Sequence, residues 1–212
     1  MKRRVYHFCN KKHGLENIRR RRVKVSTFDD LNDPFELMCH RASAGELKDF
    51  LSRMKQHVAS LHGLICFSKE YTSPVQWAHY AERHKGLCLG FDIDSKYLED
   101  VSYCSGRIDF FNEADLDKFD IMRQLREMCL VKHQHWSYEQ EVRLFGDLGK
   151  ADENGLHFKE FDNELVLKEV ITGFDCDVSK EDLMQSLGSL SDFVECYGVV
   201  PSDFDFLMVR SQ

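Results

Sequence analysis

The sequence predicts an α+β fold in which a mixed, mostly antiparallel sheet forms the core and helices flank it. Three observations lead to this prediction. Strand-like segments outnumber helical ones, the two kinds do not alternate strictly, and no internal repeat or domain boundary is visible along the 212 residues. We therefore expect a single domain that spans residues 1–212.

The composition is that of a globular protein. Apolar residues make up 42% of the chain, and the formal net charge is -7. This acidic balance argues against a protein that coats nucleic acid, and no apolar run approaches the length of a membrane span. The eight cysteines form no C-x-x-C pair, and no signal-peptide pattern follows Met1. We expect free thiols and a cytoplasmic location.

The first 68 residues are predicted to form strands, helices and one polar loop. Asn32-Asp33-Pro34 is a strong turn signal, and Gly63 is expected to end the second helix. The predicted order is strand 5–9, helix 13–22, strand 23–28, loop 29–36, helix 44–61 and strand 64–68.

The rest of the chain begins with a helix that Ser73 caps, with Pro74 in its first turn and Gly86 at its end. Alternating or periodic segments then predict the remaining elements. These are strand 87–93, a charged helix at 113–131, strands 136–145, 156–161 and 165–172, a capped helix at 179–187, and strands 193–200 and 204–209.

The most informative segment is Trp136-Ser-Tyr138-Glu139-Gln-Glu141-Val-Arg143-Leu-Phe145. In a strand, period-2 geometry places both glutamates and the arginine on one face. Neighbouring carboxylates raise each other's pKa, so this face is either a solvated surface that the arginine neutralises or a site. In a site, a carboxylate would stabilise a cationic transition state or position a sugar hydroxyl, and the arginine would keep Glu141 ionised. The two aromatic residues favour a lined pocket.

Other candidates lie upstream of this segment. His7, between Tyr6 and Phe8, is either a satisfied core residue or a hydrogen-bond donor to a ligand. The polar loop at 26–36 is either a simple turn or a site at the end of a buried strand. Helical spacing groups Trp77 and Tyr80 with Ala81 and His84, a pattern more typical of core packing, although the Tyr80 hydroxyl needs a partner.

Several kinds of chemistry lack a motif. His133, His135 and Cys129 do not have the spacing of zinc ligands, so we predict no metal site. The chain contains no phosphate-binding loop and no Gly-x-Ser-x-Gly. Nucleotide hydrolysis at a phosphate loop and serine hydrolysis therefore have no support.

Taken in order, these segments resemble one family. They are Val5-Tyr-His-Phe8, Val23-Lys-Val-Ser26 with Leu31-Asn-Asp-Pro-Phe-Glu36, Cys66-Phe-Ser68, Trp77-x-His-Tyr80-Ala-x-x-His84-x-Gly86, Trp136-x-Tyr-Glu-x-Glu-Val-Arg143 and Leu167-Lys-Glu-Val-Ile-Thr-Gly173. The pattern, over roughly residues 4–190, is similar to a large bacterial family labelled abortive-infection AbiGi-type. That resemblance implies a role in antiviral defence, with an antitoxin or another defence protein as a partner.

A more distant resemblance implies a mechanism. A first strand with Tyr-His, a second with Ser and a late strand with Glu-x-Glu are similar to the ADP-ribosyltransferase fold, which includes bacterial toxins. The resemblance makes NAD the substrate, Glu141 the catalytic carboxylate and Glu139 the group that orients the acceptor. The sequence departs from that fold by having no Ser-Thr-Ser element in the second strand.

The same resemblance assigns the residues that bind the donor. His7, with Tyr6 beside it, would contact the ribose of NAD, and Ser26 would support the pocket from the second strand. Trp77 or Tyr80 would pack on nicotinamide.

Our leading hypothesis is therefore an NAD-dependent ADP-ribosyltransferase that modifies a macromolecular acceptor, as a toxin or phage-defence effector. The basic run at 19–22 leaves RNA or DNA open as the acceptor. Two alternatives stay open. One is a sensor module that binds a ligand or partner without chemistry. The other is a metal-dependent nuclease that uses Asp33, Glu36, Glu139 and Glu141.

Overall fold

The computed structural model describes residues 1–36, 38–39, 46–108, 123 and 126–211. The strands of this part are β1 (Lys2–Cys9), β2 (Arg22–Val25), β3 (His62–Ser68), β4 (Leu87–Asp94), β5 (Leu98–Asp100), β6 (Ser102–Cys104), β7 (Val131–His133), β8 (Glu141–Asp147), β9 (His157–Glu160), β10 (Val166–Thr172), β11 (Glu195–Pro201) and β12 (Met208–Arg210). The helices are α1 (Lys11–Arg20), α2 (Glu46–Leu61), α3 (Pro74–Tyr80) and α4 (Lys180–Leu187).

In this part of the chain, eight strands form one sheet in the order β12-β11-β10-β4-β1-β3-β8-β5. Its pairs are antiparallel, except that β10 and β11 run parallel. Two small sheets, β2 with β9 and β6 with β7, accompany it. The predicted α+β class with a mixed, mostly antiparallel sheet is confirmed.

Helices cover the two faces of the large sheet. Ile18 of α1 and Leu187 of α4 pack with Leu89 and other odd-numbered apolar residues of β4. On the opposite face, Trp77 of α3 packs with Cys88 and Ile171. The side chains of β4 thus alternate between the apolar clusters on the two faces, as expected for a central strand.

The sheet is nearly divided between β1 and β3. β1 pairs with β4 through eight residues, from Lys2 to Cys9, whereas it pairs with β3 only at Tyr6 and Ser68. β3 in turn pairs with β8 along its whole length. The sheet therefore consists of two well-paired halves that meet at a narrow contact.

Helix caps explain several of the helix ends. Asn10 accepts a hydrogen bond from the His13 amide at the start of α1, and Ser73 and Ser179 cap α3 and α4 as predicted. The helix that begins at Pro74 is shorter than predicted. It ends at Tyr80, because the next residues turn into positive φ, with His84 at 69°.

Two further boundaries differ from the prediction. Gly63 does not end a helix but lies inside β3, where a Cβ would come within 2.8 Å of the Ser26 carbonyl oxygen. Glycine is needed there because β2 and β3 approach closely. The strand predicted at 136–145 is wrong in its first half, since residues Gln134–Glu139 form a 3-10 helix and β8 begins only at Glu141.

Parts of two predicted helices lie outside the described residues, namely 44–45 and most of 113–131. All eight cysteines lie within the described part, and each is a free thiol. Among the helices that are described, none combines the length and apolar character needed to cross a bilayer.

Candidate functional site

A cavity of about 300 Å³ opens where the sheet divides. Both sides of the division contribute, through Tyr6, His7 and Phe8 of β1 and Cys66, Phe67 and Ser68 of β3. The loop after β2, α3 and the segment around β8 complete the wall with Ser26, Asp30, Leu31, Asn32, Gln76, Tyr80, Lys132, Glu139 and Glu141.

Five charged side chains, which we call the glutamate cluster, lie at and behind this wall. They are Glu36, Lys132, Glu139, Glu141 and Arg143, and each side chain is 8% exposed or less. Charged groups this deeply buried occur in proteins only when they are paired. The solvated strand face that the sequence left open is therefore excluded.

Glu141 is held by two cations. Its Oε1 accepts a hydrogen bond from Arg143 Nε at 2.8 Å, and its Oε2 lies 2.7 Å from Lys132 Nζ. Burial opposes the charged form, but the positive charges of Arg143 and Lys132 outweigh it and lower the pKa of Glu141 to about 2. The carboxylate on the cavity wall is therefore ionised at neutral pH.

Arg143 is fully buried, and Glu36 binds it from the other side. Its guanidinium donates to both carboxylate oxygens of Glu36, with Nη2 at 3.1 Å from Oε2, and to the carbonyl of Cys129. The planar fork of arginine suits this bidentate arrangement. Glu36 and Glu141 both pair with Arg143, and Glu139 and Glu141 both pair with Lys132. Three carboxylates thus face two cations, and the glutamate cluster carries one net negative charge.

Glu139 reaches the cluster from the 3-10 helix and not from the strand. The backbone turns at Gln140, which has a φ of 44°, so the predicted alternation is broken between the two glutamates. Even so, Lys132 Nζ lies 2.7 Å from Glu139 as well as from Glu141. The two carboxylates share one ammonium group.

The hydrogen bonds of Glu139 set it apart from Glu141. Its second oxygen accepts from the hydroxyl of Tyr80, which in turn accepts from Asn32 Nδ2 at 2.8 Å. Burial is the main influence on Glu139 and raises its pKa, although Lys132 and Tyr80 act against this. Glu141 thus holds its charge, whereas Glu139 takes up a proton more readily.

His7 bridges the division in the sheet. Its Nδ1 lies 3.0 Å from the carbonyl oxygen of Cys66 on β3. A carbonyl only accepts, so Nδ1 donates, and burial lowers the pKa of the ring and favours the neutral form. In the neutral ring Nε2 is then an acceptor, which suits a ligand hydroxyl.

The remaining predicted site residues are divided between the cavity and the core. Tyr6, Ser26 and Tyr80 line the cavity, whereas Trp77 is absent from its described lining. Trp77 is fully buried against Phe8 and Cys88, and its Nε1–H donates to the Tyr71 carbonyl at 2.6 Å. Its large apolar ring stabilises the core there, so of the two aromatic candidates only Tyr80 borders the cavity.

Three polar residues of the cavity wall were not predicted from the sequence, namely Ser68, Gln76 and Lys132. Gln76 Nε2 donates to Ser68 Oγ and to the Tyr138 carbonyl, both at 3.0 Å, which joins α3 to β3 and to the 3-10 helix. Lys132 was missed because a single lysine in a short strand belongs to no motif. Its one signal is that it directly follows two apolar residues, Leu130 and Val131.

No protein-family model, curated protein or solved structure matches this chain.

Proposed function

We propose that this protein is an NAD-dependent ADP-ribosyltransferase that modifies a macromolecular acceptor. One observation carries the proposal: His7 from the first strand and Glu141 from a late strand line the same cavity, at the point where the sheet divides. Pairing of Ser68 with Tyr6 and with Glu141 aligns these side chains on one face of the sheet. His7 pairs with Leu89 and belongs to the other face, so His7 and Glu141 border the cavity from opposite sides of the division in the sheet.

The charge of the site suits the proposed reaction. When the bond between C1′ of the ribose and nicotinamide breaks, its electron pair leaves with nicotinamide and positive charge develops on the ribose ring. Glu141 supplies a fixed, ionised carboxylate, and the glutamate cluster keeps one net negative charge. Preorganised charge of the opposite sign is the usual means of stabilising such a transition state.

Glu139 is suited to the second half of the reaction. The acceptor atom forms a bond to C1′ and must lose a proton. A carboxylate whose pKa is raised accepts a proton more readily than one whose pKa is lowered. We therefore assign Glu139 as the base, with Tyr80 and Lys132 holding its two oxygens.

The remaining assignments follow the cavity wall. His7 Nε2 accepts from a ribose hydroxyl, and Tyr80 is the aromatic neighbour of nicotinamide, because Trp77 is in the core. The resemblance to the abortive-infection family supports a role as a toxin or phage-defence effector in the cytoplasm.

The ion pairs of the glutamate cluster support a metal-dependent nuclease less than they support the transferase. Three of its proposed carboxylates, Glu36, Glu139 and Glu141, already bind Arg143 or Lys132. Across the described residues, no group of three or more His, Cys, Asp or Glu side chains is arranged to hold a metal ion.

Release of nicotinamide from NAD by the purified protein tests the proposal. We expect turnover that persists in EDTA and falls by about 10²–10³ in Glu141→Gln, the cost of losing one electrostatic stabiliser. Glu195→Gln is the matched control, since it removes a strand glutamate that pairs with Arg210 outside the cavity and should leave the rate unchanged.

Other outcomes would identify the alternatives. A Glu141→Gln protein with full activity would contradict the assignment of the carboxylate. NAD that binds but is not cleaved, even with candidate acceptors present, would indicate a sensor module. Nucleic-acid cleavage that EDTA abolishes would indicate a nuclease.

A further inference from the structure

A second cavity, of about 410 Å³, shares Lys132 with the first. Ligand pockets span roughly 300–1,000 Å³, so the first cavity is at the small end of this range and suits one nucleoside half of a dinucleotide. We infer that the second cavity binds a nucleotide unit, which is a phosphate attached to a nucleoside with an aromatic base. The role of this site in the reaction rests on the proposed function, whereas nucleotide binding itself does not.

The two cavities differ in charge. Among the described residues that line the first, Asp30, Glu139 and Glu141 face one cation, Lys132. In the described lining of the second, Lys132 is already held by Glu139 and Glu141, and the Arg107 guanidinium is accompanied by one carboxylate, Asp33. A cationic ribose ring therefore suits the first cavity, and in the second the Arg107 guanidinium is the group that suits a phosphate.

The rim of the second cavity provides a stacking surface for a base. Phe35 is 52% exposed, and the Arg107 guanidinium lies over its ring at 5.5 Å from the centroid. Phenylalanine rings and guanidinium planes are the groups on which nucleobases stack.

The stacking ring is held in place by the loop that also serves the glutamate cluster. Asp33 Oδ1 accepts a hydrogen bond from the Phe35 amide at 2.9 Å, and the next residue, Glu36, binds Arg143. The loop is thus anchored on both sides of Phe35. Such a ring loses little freedom when a base stacks on it.

Histidines add hydrogen-bond donors to the same wall. The His135 amide donates to His133 Nδ1 at 3.3 Å, so in the neutral His133 ring the proton is on Nε2. The two rings pack edge to face, with centroids 4.4 Å apart. The Nε2–H of His133 and the guanidinium of Arg107 are therefore the donors that this wall offers to a phosphate.

Calorimetric titration of the full chain with AMP tests this inference. We use Glu141→Gln protein as the background, so that NAD stays intact when it is added. We expect AMP to bind, and the affinity to fall about tenfold in Phe35→Ala and in Arg107→Ala, the scale of one lost stacking partner. Both side chains are exposed, so the variants should fold.

Arg126→Ala is the matched control. The Arg126 guanidinium also lies over an aromatic ring, that of Phe145 at 5.6 Å, but away from both cavities. It should leave AMP binding unchanged. No AMP binding at millimolar concentration would overturn the inference, as would binding that neither Phe35→Ala nor Arg107→Ala weakens.

Saturating NAD identifies the source of the nucleotide unit. If NAD abolishes AMP binding, the cavity holds the adenylate half of the donor. If AMP binds equally well with NAD present, the cavity holds a nucleotide of the acceptor. Either result supports a nucleotide site, and because neither needs NAD turnover, failure of the proposed reaction is seen separately.

Discussion

Two ion-pair networks lie on the same sheet, and they differ in what surrounds them. The glutamate cluster lies beside the division between β1 and β3 and borders a cavity. The second network joins Arg4, Asp92 and Glu169 across β1, β4 and β10, which are paired along most of their length. One network lies where the sheet opens, and the other where it is continuous.

Their burial differs as well. The side chains of the glutamate cluster are at most 8% exposed, whereas Arg4, Asp92 and Glu169 are 32%, 23% and 15% exposed. Buried ion pairs recover their desolvation cost only in part, so stability alone does not favour assembling five such groups. The comparison teaches that the Arg4 network is explained by joining strands, whereas the burial of the glutamate cluster is not explained by stability and fits the function proposed above.

The largest effect should come from removing the central cation of the glutamate cluster. Arg143→Met leaves Glu36 without the arginine it binds and takes from Glu141 one of its two cations, inside the protein. We expect the free energy of unfolding in urea to fall by about 3–5 kcal/mol. Adding Glu36→Gln should restore part of this loss. A loss below about 1 kcal/mol would show that the cluster behaves like an exposed network.

The second effect separates the two glutamates by pH. The pKa of Glu141 is lowered from 4.5 to about 2 on folding, so its ionised form stabilises the protein above about pH 4.5. That contribution, about 3 kcal/mol, is lost as the pH falls toward 2. The difference in unfolding free energy between the wild type and Glu141→Gln should therefore shrink on acidification.

Glu139 should show the opposite trend. Its pKa is raised on folding, so its contribution to stability is present at low pH and is lost as the pH rises through the folded value. The stability of the wild type relative to Glu139→Gln should thus improve on acidification. Urea titrations between about pH 3 and 7 measure both variants, and parallel trends would contradict the distinction between the two carboxylates.

The smallest effect should come from the Arg4 network. Arg4→Met removes a cation that is about a third exposed, and solvent screens its pairs with Asp92 and Glu169. We expect the unfolding free energy to change by about 1 kcal/mol or less, and NAD turnover to be unaffected. A loss as large as that of Arg143→Met would remove the contrast between the two networks.

The sequence predicted most elements of the sheet because alternation in strands such as β4 and β10 is regular. It did not predict where β8 begins. The aromatic residues before Glu139 favour strand structure, whereas the turn at Gln140 depends on a left-handed backbone that glutamine rarely adopts.

The candidate site was predicted only in part, for a similar reason. His7, Tyr80 and the two glutamates carry chemistry that stands out in a sequence, and the structure brings them to one cavity. The partners that determine their charge come from distant segments. The pairing of Glu36 with Arg143, and of Lys132 with both glutamates, arises from tertiary packing that no local spacing encodes.

The location of bound NAD tests the central claim most directly. A crystal of Glu141→Gln protein soaked with NAD should retain the intact molecule. We predict that its nicotinamide ribose lies in the first cavity, between His7 and position 141, with a ribose hydroxyl within hydrogen-bond distance of His7 Nε2. NAD bound elsewhere, or an empty cavity at saturating NAD, would contradict the account.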